Sequence, residues 1–591
     1  MMKRTMRLTA LFLALLLSGM MVLTACEQNP PKEEKSSSET SNYEADVERA
    51  LPVLDEKFVS QTPETDDFLL VEEKTARAMI VISDQKEEKA EKAAWDLQYH
   101  ISEMTGVVLP LISESEMTAE GNYILVGMTE KTKELGVGPF EEYPGEEKLV
   151  IKRKDNYLIL CGNDSGNYTG TQFAVNRFLE EAGCGWFAAD PLWQVIPSCE
   201  GLGVDEVDLE QSPRFSSRRL NRLDANLNSR WYLGGQVNHI GHGVPGLIPV
   251  SVYYEEHPEW FALVDGSRDP GRFTYWQYCY TNEELAKEVA ERIISIFDAR
   301  PMQTNYSIAA NDGWEENWCE CERCVAAGSD TDELLIFANN VAKIVGEKYP
   351  DRQISILAYH TTFFPPVKEK ALPNVEVMFC LETGLMLPLD EGHLIPTGFN
   401  SITHNTYTQS WKDSVSDYIT NSELQHKAIW GWYCLSGTRA GWDMAPWVQG
   451  NVTTRNLDLF EAYGVDDVFY DAHGDEGVLR WPLWYPTAVG MWDDSRDAET
   501  LLYDACQKLY GAAAEDMFLY YRCLADAAEH CKSTFTMTWV APYLFEVYHP
   551  YEDVISRHID AAWAKADQLS EEQRERVKNQ RMYWGVTRMG M

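Results

Sequence analysis

An aspartate at the predicted end of a buried strand is the residue of this sequence best placed for chemistry. The apolar run 306–310 predicts the strand, and Asn311 and Asp312 follow it directly. A carboxylate at such a strand end can bind a substrate or transfer a proton, and burial against Trp314 would keep it protonated near neutral pH. The alternative role for Asp312 is to cap a loop or a helix.

Three cysteines within six residues, Cys319, Cys321 and Cys324, form a second candidate site. Three interpretations stay open: a structural Zn²⁺ site with a fourth ligand elsewhere, a disulfide between two of the three, or unligated thiols. A thiol nucleophile is disfavoured because no histidine lies nearby in the sequence. We therefore expect no cofactor for catalysis and at most a structural zinc ion.

The first 26 residues predict an export signal, because positive residues precede the apolar run 8–22. Leu23-Thr24-Ala25-Cys26 resembles a bacterial lipobox, which implies cleavage before Cys26 and lipidation of that cysteine. The alternative is an uncleaved membrane anchor. We expect a protein held at the cell membrane by its lipid alone, on the extracytoplasmic face. Residues 27–65 are polar and predict a flexible linker.

The overall composition narrows the class of partner. The formal net charge of −42 disfavours binding to nucleic acid and to anionic lipid. Nineteen tryptophans, within an aromatic content of 12%, supply flat apolar faces that can stack on sugar rings, although core packing is their commoner role. The composition therefore argues against nucleic acid and anionic lipid as partners and is compatible with a glycan.

The pattern of apolar residues predicts an α/β fold. Eight candidate strands alternate with amphipathic helices, which is typical of a (β/α)8 TIM-like barrel. The strands are predicted at 216–222, 236–241, 277–281, 305–312, 354–360, 375–382, 428–434 and 467–473. The expected domains are the signal peptide (1–26), the linker (27–65), a small α/β accessory domain (66–205), the barrel (213–480) and a helical C-terminal region (481–591).

Several segments resemble known families. Residues 166–170 and 178–187 resemble the N-terminal accessory domain of α-glucuronidases and β-hexosaminidases. Residues 257–263, Asn311-Asp312-Gly313 and the Cys-x-Cys-x-x-Cys motif resemble the family numbered 4838 among domains of unknown function. Part of that family is similar to glycoside hydrolase family 163, the endo-β-N-acetylglucosaminidases that act on N-glycans. The resemblance covers roughly residues 70–500 and implies a sugar-hydrolysing barrel.

Glycoside hydrolysis generally needs two carboxyl groups, and the predicted strand ends supply candidates for both. The catalytic candidates are Asp312, Glu382 and Glu476. One would protonate the departing oxygen, and another would attack, activate water or position an acetamido group. The substrate-binding candidates are His239, His242, Trp276, Asn311, Trp314, Tyr359, His360, Trp432 and Asp471.

Three functions remain as hypotheses. The first is a surface-anchored glycoside hydrolase that acts on a β-linked N-acetylhexosamine glycan, with Asp312 and Glu382 as the working pair. The second is a carbohydrate-binding lipoprotein that uses the same aromatic residues without catalysis. The third is an α-glucuronidase-like hydrolase, which would need a basic residue such as Arg222 or Arg439 to hold a uronate.

Overall fold

The computed structural model describes most of the chain after its N-terminal segment. The described residues are 49–64, 67–118, 120–221, 223–312, 317–382, 388–389, 418–419, 423–432, 448–471, 477–530 and 541–591, with the backbone alone at 360, 382, 432, 477 and 541–544. Within these residues, no helix is both long enough and apolar enough to cross a membrane. The signal peptide, Cys26 and most of the linker lie outside them and stay predictions.

The strands fall into an N-terminal set and a barrel set. The N-terminal set is β1 (Val59–Ser60), β2 (Phe68–Glu72), β3 (Thr75–Ala76), β4 (Ala78–Ile82), β5 (Leu111–Ser113), β6 (Asn122–Val126), β7 (Leu149–Lys154), β8 (Tyr157–Gly162), β9 (Gly185–Trp186), β10 (Gln194–Val195), β11 (Leu202–Val204) and β12 (Asp208–Gln211). The barrel set is β13 (Ser217–Leu220), β14 (Gly234–Gly235), β15 (Val237–Asn238), β16 (Gln303–Ser307), β17 (Gln353–Ala358), β18 (Val375–Glu382), β19 (His426–Trp432) and β20 (Asp467–Tyr470).

The longer helices of the described residues follow the same division. Those of the N-terminal part are Glu88–Thr105 and Gly170–Glu181, and those of the barrel are Glu283–Ala299, Asp330–Lys348 and Gly450–Ala462. The C-terminal part contains Gly477–Trp492, Ala498–Tyr510, Ala514–His530, Ala541–Tyr548, Glu552–Ala564 and Glu571–Gly590. The shorter helices are Glu130–Glu134, Ala225–Arg230, Val244–Leu247, Val250–Tyr253 and Glu322–Ala327.

The N-terminal part is built on a six-stranded sheet in the order β12-β7-β8-β6-β4-β5. Strands β4, β5, β6 and β8 are parallel, and β7 pairs antiparallel with β8 in a hairpin. The helices Glu88–Thr105 and Gly170–Glu181 pack on this sheet and on each other through their apolar faces. A buried ion pair between Glu147 and Arg218 of β13, 2.9 Å long, joins this part to the barrel.

The barrel sheet has eight strands in the order β14-β13-β20-β19-β18-β17-β16-β15, which confirms the predicted fold class. Seven of these strands run parallel, whereas β14 pairs antiparallel with β13. Strands β14 and β15 stand at opposite ends of this order but are adjacent in sequence, so the sheet curves almost back on itself.

Side chains bridge the remaining seam between β13 and β15. Arg219 donates to the carbonyl of Asn238 at 2.9 Å and to Asp467 at 2.8 Å. The amide of Asn238 donates to the same carboxylate at 2.8 Å. Hydrogen bonds from side chains therefore replace the backbone ladder at the point where the barrel closes.

One predicted strand is wrong. Residues 277–281 do not belong to the barrel sheet, and their single bridge is the antiparallel pair between Tyr278 and Phe261. The run Tyr278-Cys279-Tyr280 has the composition of a core strand because the whole segment is buried in a long connection between β15 and the helix Glu283–Ala299. As a consequence, Asp312 follows the third parallel strand along the chain, and Glu382 ends the fifth.

Candidate functional site

The carboxyl ends of the parallel strands gather several of the predicted site residues at one end of the barrel, here called the rim. Asp312 follows β16, Tyr359 follows β17, Glu382 is the last residue of β18, and Asp471 follows β20. His242 lies four residues after β15. Because parallel strands end on the same side of a sheet, the rim is the place where these residues come together.

Asp312 is held at the rim through the backbone of Asn311. Gln277, which is buried, donates its Nε2–H to the carbonyl of Asn311 at 2.6 Å and accepts from the Asn311 N–H at 3.0 Å. The side chain of Asn311 donates to the carbonyl of Trp276 at 2.9 Å and accepts from the N–H of Asp312 at 3.0 Å. Asn311 therefore shapes the turn that presents Asp312.

The charge of Asp312 acts on the interior of the barrel. Complete burial raises the pKa of the Cys380 thiol on β18, and the negative charge of Asp312 raises it further. Cys380 packs with Leu357, Met378 and Ala309 in an apolar cluster inside the barrel. The Asp312 carboxylate therefore lies near enough to β18, two strands away in the sheet, for its charge to act on the Cys380 thiol.

His242 joins this group from the far side of β16. Its Nδ1 donates to the carbonyl of Ala310, since a carbonyl oxygen only accepts. In the neutral imidazole, this bond leaves Nε2 as a hydrogen-bond acceptor. The ring of His242 lies 6.3 Å from the ring of Tyr359. A hydroxyl-bearing ligand at the rim would meet an acceptor at His242 and an aromatic face at Tyr359.

Below the rim, the barrel interior is lined by aromatic rings. Tyr359, Trp430 and Phe469 are each only partly buried, and the rings of Trp430 and Phe469 meet edge to face at 5.1 Å. Directly after β20, Asp471 is 6% exposed and accepts from the side chain of Asn221 at 2.7 Å. The interior therefore offers apolar faces together with oriented carboxylates, which suits a sugar ring.

Two of the predicted substrate-binding residues, His239 and Trp276, have surroundings that differ from those of His242 and Tyr359. His239 stacks on Tyr306 with ring centroids 4.2 Å apart, whereas its neighbour Asn238 bonds to Asp467 at the barrel seam. Since successive side chains of a strand point to opposite faces, His239 lies away from the barrel interior. Trp276 is half-buried beside Asn311, and its indole N–H is buried without a hydrogen-bond partner in the described part of the chain.

The remaining predicted residues are not fully described. Trp314, Glu476, Arg222 and Arg439 lie outside the described residues, and Glu382, His360 and Trp432 are described by their backbone alone. The register places Glu382 opposite Trp432 at the end of β18 and β19. Their roles stay predictions.

Four thiols, not three, gather beside the segment that holds Asn311. Cys279 joins Cys319, Cys321 and Cys324, and their sulfur atoms all lie within 4.8 Å of one another. Cys279 is 3.8 Å from both Cys321 and Cys324. This set of soft ligands could hold a metal ion. Among the described residues, these four cysteines are free thiols rather than disulfide partners.

Sequence reasoning missed Cys279, Gln277 and Asn221 as members of these sites. Cys279 lies in the run Tyr278-Cys279-Tyr280, which has the pattern of a core strand. The one signal that could have pointed to Cys279 is that a zinc site at 319–324 needs a fourth ligand from elsewhere in the chain. Gln277 is a buried amide whose partners are 34 residues away, so nothing local marks it.

Comparison with known proteins identifies the family and the fold. The model of the family described as "Domain of unknown function (DUF4838)" matches residues 189–522. The sequence has no significant match among curated proteins. A solved structure of a family GH115 4-O-methyl-α-glucuronidase with specificity for decorated arabinogalactans matches at 11% identity and a TM-score of 0.53, over 89% of this chain and 73% of that chain.

Two further solved structures match more weakly. The family 89 glycoside hydrolase of Clostridium perfringens matches at 10% identity and a TM-score of 0.48, over 84% of this chain and 60% of that chain. The N-acetyl-β-hexosaminidase of Streptomyces plicatus matches at 12% identity and a TM-score of 0.40, over 80% and 95% of the two chains. The likeness to the GH115 enzyme shows that this chain has the fold of a glycoside hydrolase.

Proposed function

Because this chain belongs to the family described as a domain of unknown function (DUF4838), whose description names no activity, we propose its function from the rim: it is a glycoside hydrolase that acts on a β-linked N-acetylhexosamine glycan. Asp312 and Glu382 are the proposed working pair. One carboxyl group protonates the departing glycosidic oxygen. The other attacks the anomeric carbon, activates water or positions the acetamido group of the substrate.

The observation that carries this proposal is that Asp312 follows β16 and Glu382 ends β18, two parallel strands of the same barrel sheet. The Asp312 charge reaches the interior side of β18, and Glu382 lies two residues beyond Cys380 on that strand. Asp312 and Glu382 therefore belong to one rim, with only β17 between their strands.

The spacing of the strands suits the reaction. Neighbouring strands lie about 4.8 Å apart, so β16 and β18 are separated by roughly 10 Å. The distance between the two carboxyl groups would decide the stereochemical outcome. A separation of about 5–5.5 Å would give retention through a protein nucleophile, and about 6.5–9.5 Å would give inversion. Tyr359 and Trp430 supply the aromatic faces on which the sugar stacks.

The test measures release of reducing sugar from N-glycans and chitooligosaccharides by the full-length protein and its variants. We expect Asp312→Asn and Glu382→Gln each to lower the rate by about 100-fold or more, which is the usual contribution of a general acid or base. The matched controls are Asp466→Asn and Glu423→Gln. Asp466 is partly exposed and Glu423 is exposed, and they precede β20 and β19, at the end of the barrel opposite the rim. Both variants should therefore keep wild-type rates. Unchanged rates in both rim variants would remove the assignment.

The same substrate panel separates the two alternatives. Calorimetric binding of glycans without hydrolysis over long incubation would identify a carbohydrate-binding lipoprotein. Cleavage of glucuronate from a decorated arabinogalactan, with no action on N-acetylhexosamine glycans, would identify an α-glucuronidase. That outcome would direct attention to Arg222 and Arg439 as the residues that hold the uronate carboxylate.

We also propose that the enzyme acts at the cell surface, anchored through Cys26. The lipobox-like segment 23–26 and the polar linker after it support this location. A Cys26→Ser variant should leave the membrane fraction or stay unprocessed, while a Cys161→Ser variant, at a buried cysteine far along the chain, should fractionate like wild type. A Cys26→Ser protein that is processed and membrane-bound like wild type would contradict the anchor.

A further inference from the structure

Two segments that are 40 residues apart in sequence supply the four thiols of Cys279, Cys319, Cys321 and Cys324, and the backbone of residues 262–263 bonds to both segments. We propose that these cysteines bind one structural zinc ion, and that the ion fixes the segment that carries Gln277. The site would be closed, since four protein ligands complete a tetrahedral Zn²⁺ sphere and leave no position for water. Its role is therefore to hold segments together, not to take part in the reaction.

The distances between the sulfur atoms match a single ion. With a Zn–S bond of about 2.3 Å, the edge of a tetrahedron of thiolates is about 3.8 Å. The distances from Cys279 to Cys321 and to Cys324 are both 3.8 Å. A disulfide would bring two sulfurs to about 2.05 Å, and a multinuclear iron–sulfur cluster would spread its ligands further than 4.8 Å permits.

The surroundings fit a tetrathiolate that carries negative charge. The N–H of Leu263 donates to the sulfur of Cys319 at 3.3 Å, and the hydroxyl of Thr281 lies 3.2 Å from the sulfur of Cys324. The guanidinium of Arg268 lies near three of the thiols and supplies positive charge. Cys321 precedes the helix Glu322–Ala327 and Cys324 lies in its first turn. Donors and a cation therefore face the sulfurs, as they do around metal-bound thiolates.

The rest of the environment is apolar. The thiols pack in a cluster with Ala262 and Val264, and Leu263 and Phe273 lie against it. Thiols packed in apolar surroundings are ordinary core residues when they stand alone. Four sulfurs in mutual contact have a different explanation, because close packing of an apolar core gives no reason for them to converge.

The ion would act on the rim through a short stretch of backbone. Cys279 lies two residues after Gln277, and the carbonyl of Gln277 accepts from the N–H of Ala262 at 3.0 Å. The N–H of Glu320, beside the cysteine motif, donates to the carbonyl of Leu263 at 2.7 Å. These bonds tie the three segments together, and Gln277 in turn holds Asn311. Any effect on catalysis rests on the proposed role of Asp312, whereas zinc binding does not.

The first test measures metal and thiols in the full-length protein purified in detergent without added metal. We expect roughly one zinc per chain by elemental analysis. Alkylation of the unfolded protein without reductant should label all four cysteines. After exchange with Co²⁺, the visible absorption should be that of a tetrahedral tetrathiolate. Two disulfides in place of labelled thiols, a wild-type protein without any metal, or iron in place of zinc would overturn the proposal.

The second test compares variants by zinc content, so that it does not depend on activity. Cys279→Ser should lose at least about half of the bound zinc, while Cys161→Ser, at a cysteine buried in the N-terminal sheet, should keep all of it. If Cys279→Ser does not fold, chelation of the wild type replaces it. Hydrogen exchange at residues 309–312 should then rise on zinc removal. Full zinc content in Cys279→Ser, or unchanged exchange in the zinc-free protein, would contradict the proposal.

The two proposals can fail separately. A protein that binds zinc but cleaves no glycan would support the metal site and contradict the proposed hydrolase activity. A protein that cleaves glycans but contains two disulfides at these positions would support the hydrolase activity and contradict the metal site.

Discussion

Gln277 holds the backbone of Asn311 with both atoms of its side-chain amide. Its Nε2 lies 2.6 Å from the Asn311 carbonyl oxygen, and its Oε1 lies 3.0 Å from the Asn311 nitrogen. The hydroxyl of Tyr280 donates to the same Oε1 at 2.7 Å. Gln277 therefore replaces, at the end of β16, the backbone pairing that a neighbouring strand would have supplied.

This relationship predicts the effect of removing the amide. Gln277→Met keeps the length of the side chain but leaves the Asn311 N–H and C=O without these partners, and each buried unsatisfied group costs about 1–3 kcal/mol. We expect the free energy of unfolding to fall by about 2–4 kcal/mol. We also expect glycan hydrolysis to fall by more than about 10-fold because Asp312 is displaced.

Urea denaturation and initial rates check this prediction, with Gln580→Met as the control. Gln580 is also a buried glutamine, but it makes a longer bond of 3.3 Å to the Val478 carbonyl in the C-terminal part. The control should lose stability without a specific loss of rate at temperatures where it is folded. Equal losses of rate in the two variants would argue against the role of Gln277 at the rim.

Elements with strong local signals could be predicted from the sequence. The spacing of apolar residues over 170–182 predicts a helix, which is found at Gly170–Glu181, and the turn residues 154–156 predict the hairpin that joins β7 and β8. The sequence of 556–582 predicts one helical stretch, but the structure has two helices, Glu552–Ala564 and Glu571–Gly590, because a 3-10 turn separates them and Ser570 caps the second. Periodicity detects apolar faces well but does not detect every interruption between them.

The site depends on contacts that no local pattern encodes. Residues 277–281 have the composition of a core strand, yet Tyr278 pairs with Phe261 and the segment lies outside the barrel sheet. Cys279 is 40 residues from Cys319, and its place in the cluster follows from that unexpected pairing. The positions of Asp312 and Asp471 could be predicted, since a strand end needs only its own strand to be recognised.

A second prediction concerns the buried ion pair between the N-terminal part and the barrel. Arg218 and Glu147 are both almost fully buried, and Arg218 also donates to the carbonyls of Tyr232 and Phe215 at 2.9 and 2.8 Å. Arg218→Met leaves a buried carboxylate without its partner and should cost about 3–5 kcal/mol of unfolding free energy. Glu147→Gln should cost less, because Arg218 keeps its two carbonyl acceptors.

Urea denaturation of the two single variants and the double variant gives the coupling between these residues. The control is Lys370→Met, which removes an exposed ion pair with Glu423 and should leave stability unchanged within error. A loss of stability for Arg218→Met no larger than for the control would show that the pair does not join the two parts.

A third prediction separates two roles of His242. Asn places its amide nitrogen where Nδ1 lies, so His242→Asn should keep the hydrogen bond to Ala310 and lose the acceptor at Nε2. If Nε2 accepts from a substrate hydroxyl, KM should rise by about 10-fold with little change in kcat, which is the effect of losing one hydrogen bond. His242→Phe loses both bonds and should also lower the thermal midpoint.

Steady-state kinetics and thermal unfolding of the two variants check these roles. His239→Asn is the control, because His239 stacks on Tyr306 away from the barrel interior. It should leave KM unchanged. Wild-type KM in His242→Asn would assign His242 a structural role alone.

A fourth prediction follows from a carboxyl group inside the barrel. Burial, and then the charges of Asp467 and Asp466, raise the pKa of Glu376 from its ordinary 4.5 to about 8, although Arg219 and a 2.7 Å hydrogen bond from Asn305 act in the opposite direction. Between these two pH values, the folded protein holds a proton that the unfolded chain has released. The free energy of unfolding should therefore decrease as the pH rises from about 5 to 8, by up to about 1.4 kcal/mol per pH unit.

Glu376→Gln removes this proton but keeps an oxygen that can accept from Asn305, so the variant should lose the corresponding part of the slope. The measurement is urea denaturation at several pH values across the window, with the exposed Glu423→Gln as the variant that keeps the wild-type slope. The sign is the informative part, since a carboxylate stabilised by an ion pair would make the protein more stable as the pH rises. An unchanged slope in Glu376→Gln would mean that Glu376 is already ionised inside the barrel and that Arg219 balances its charge.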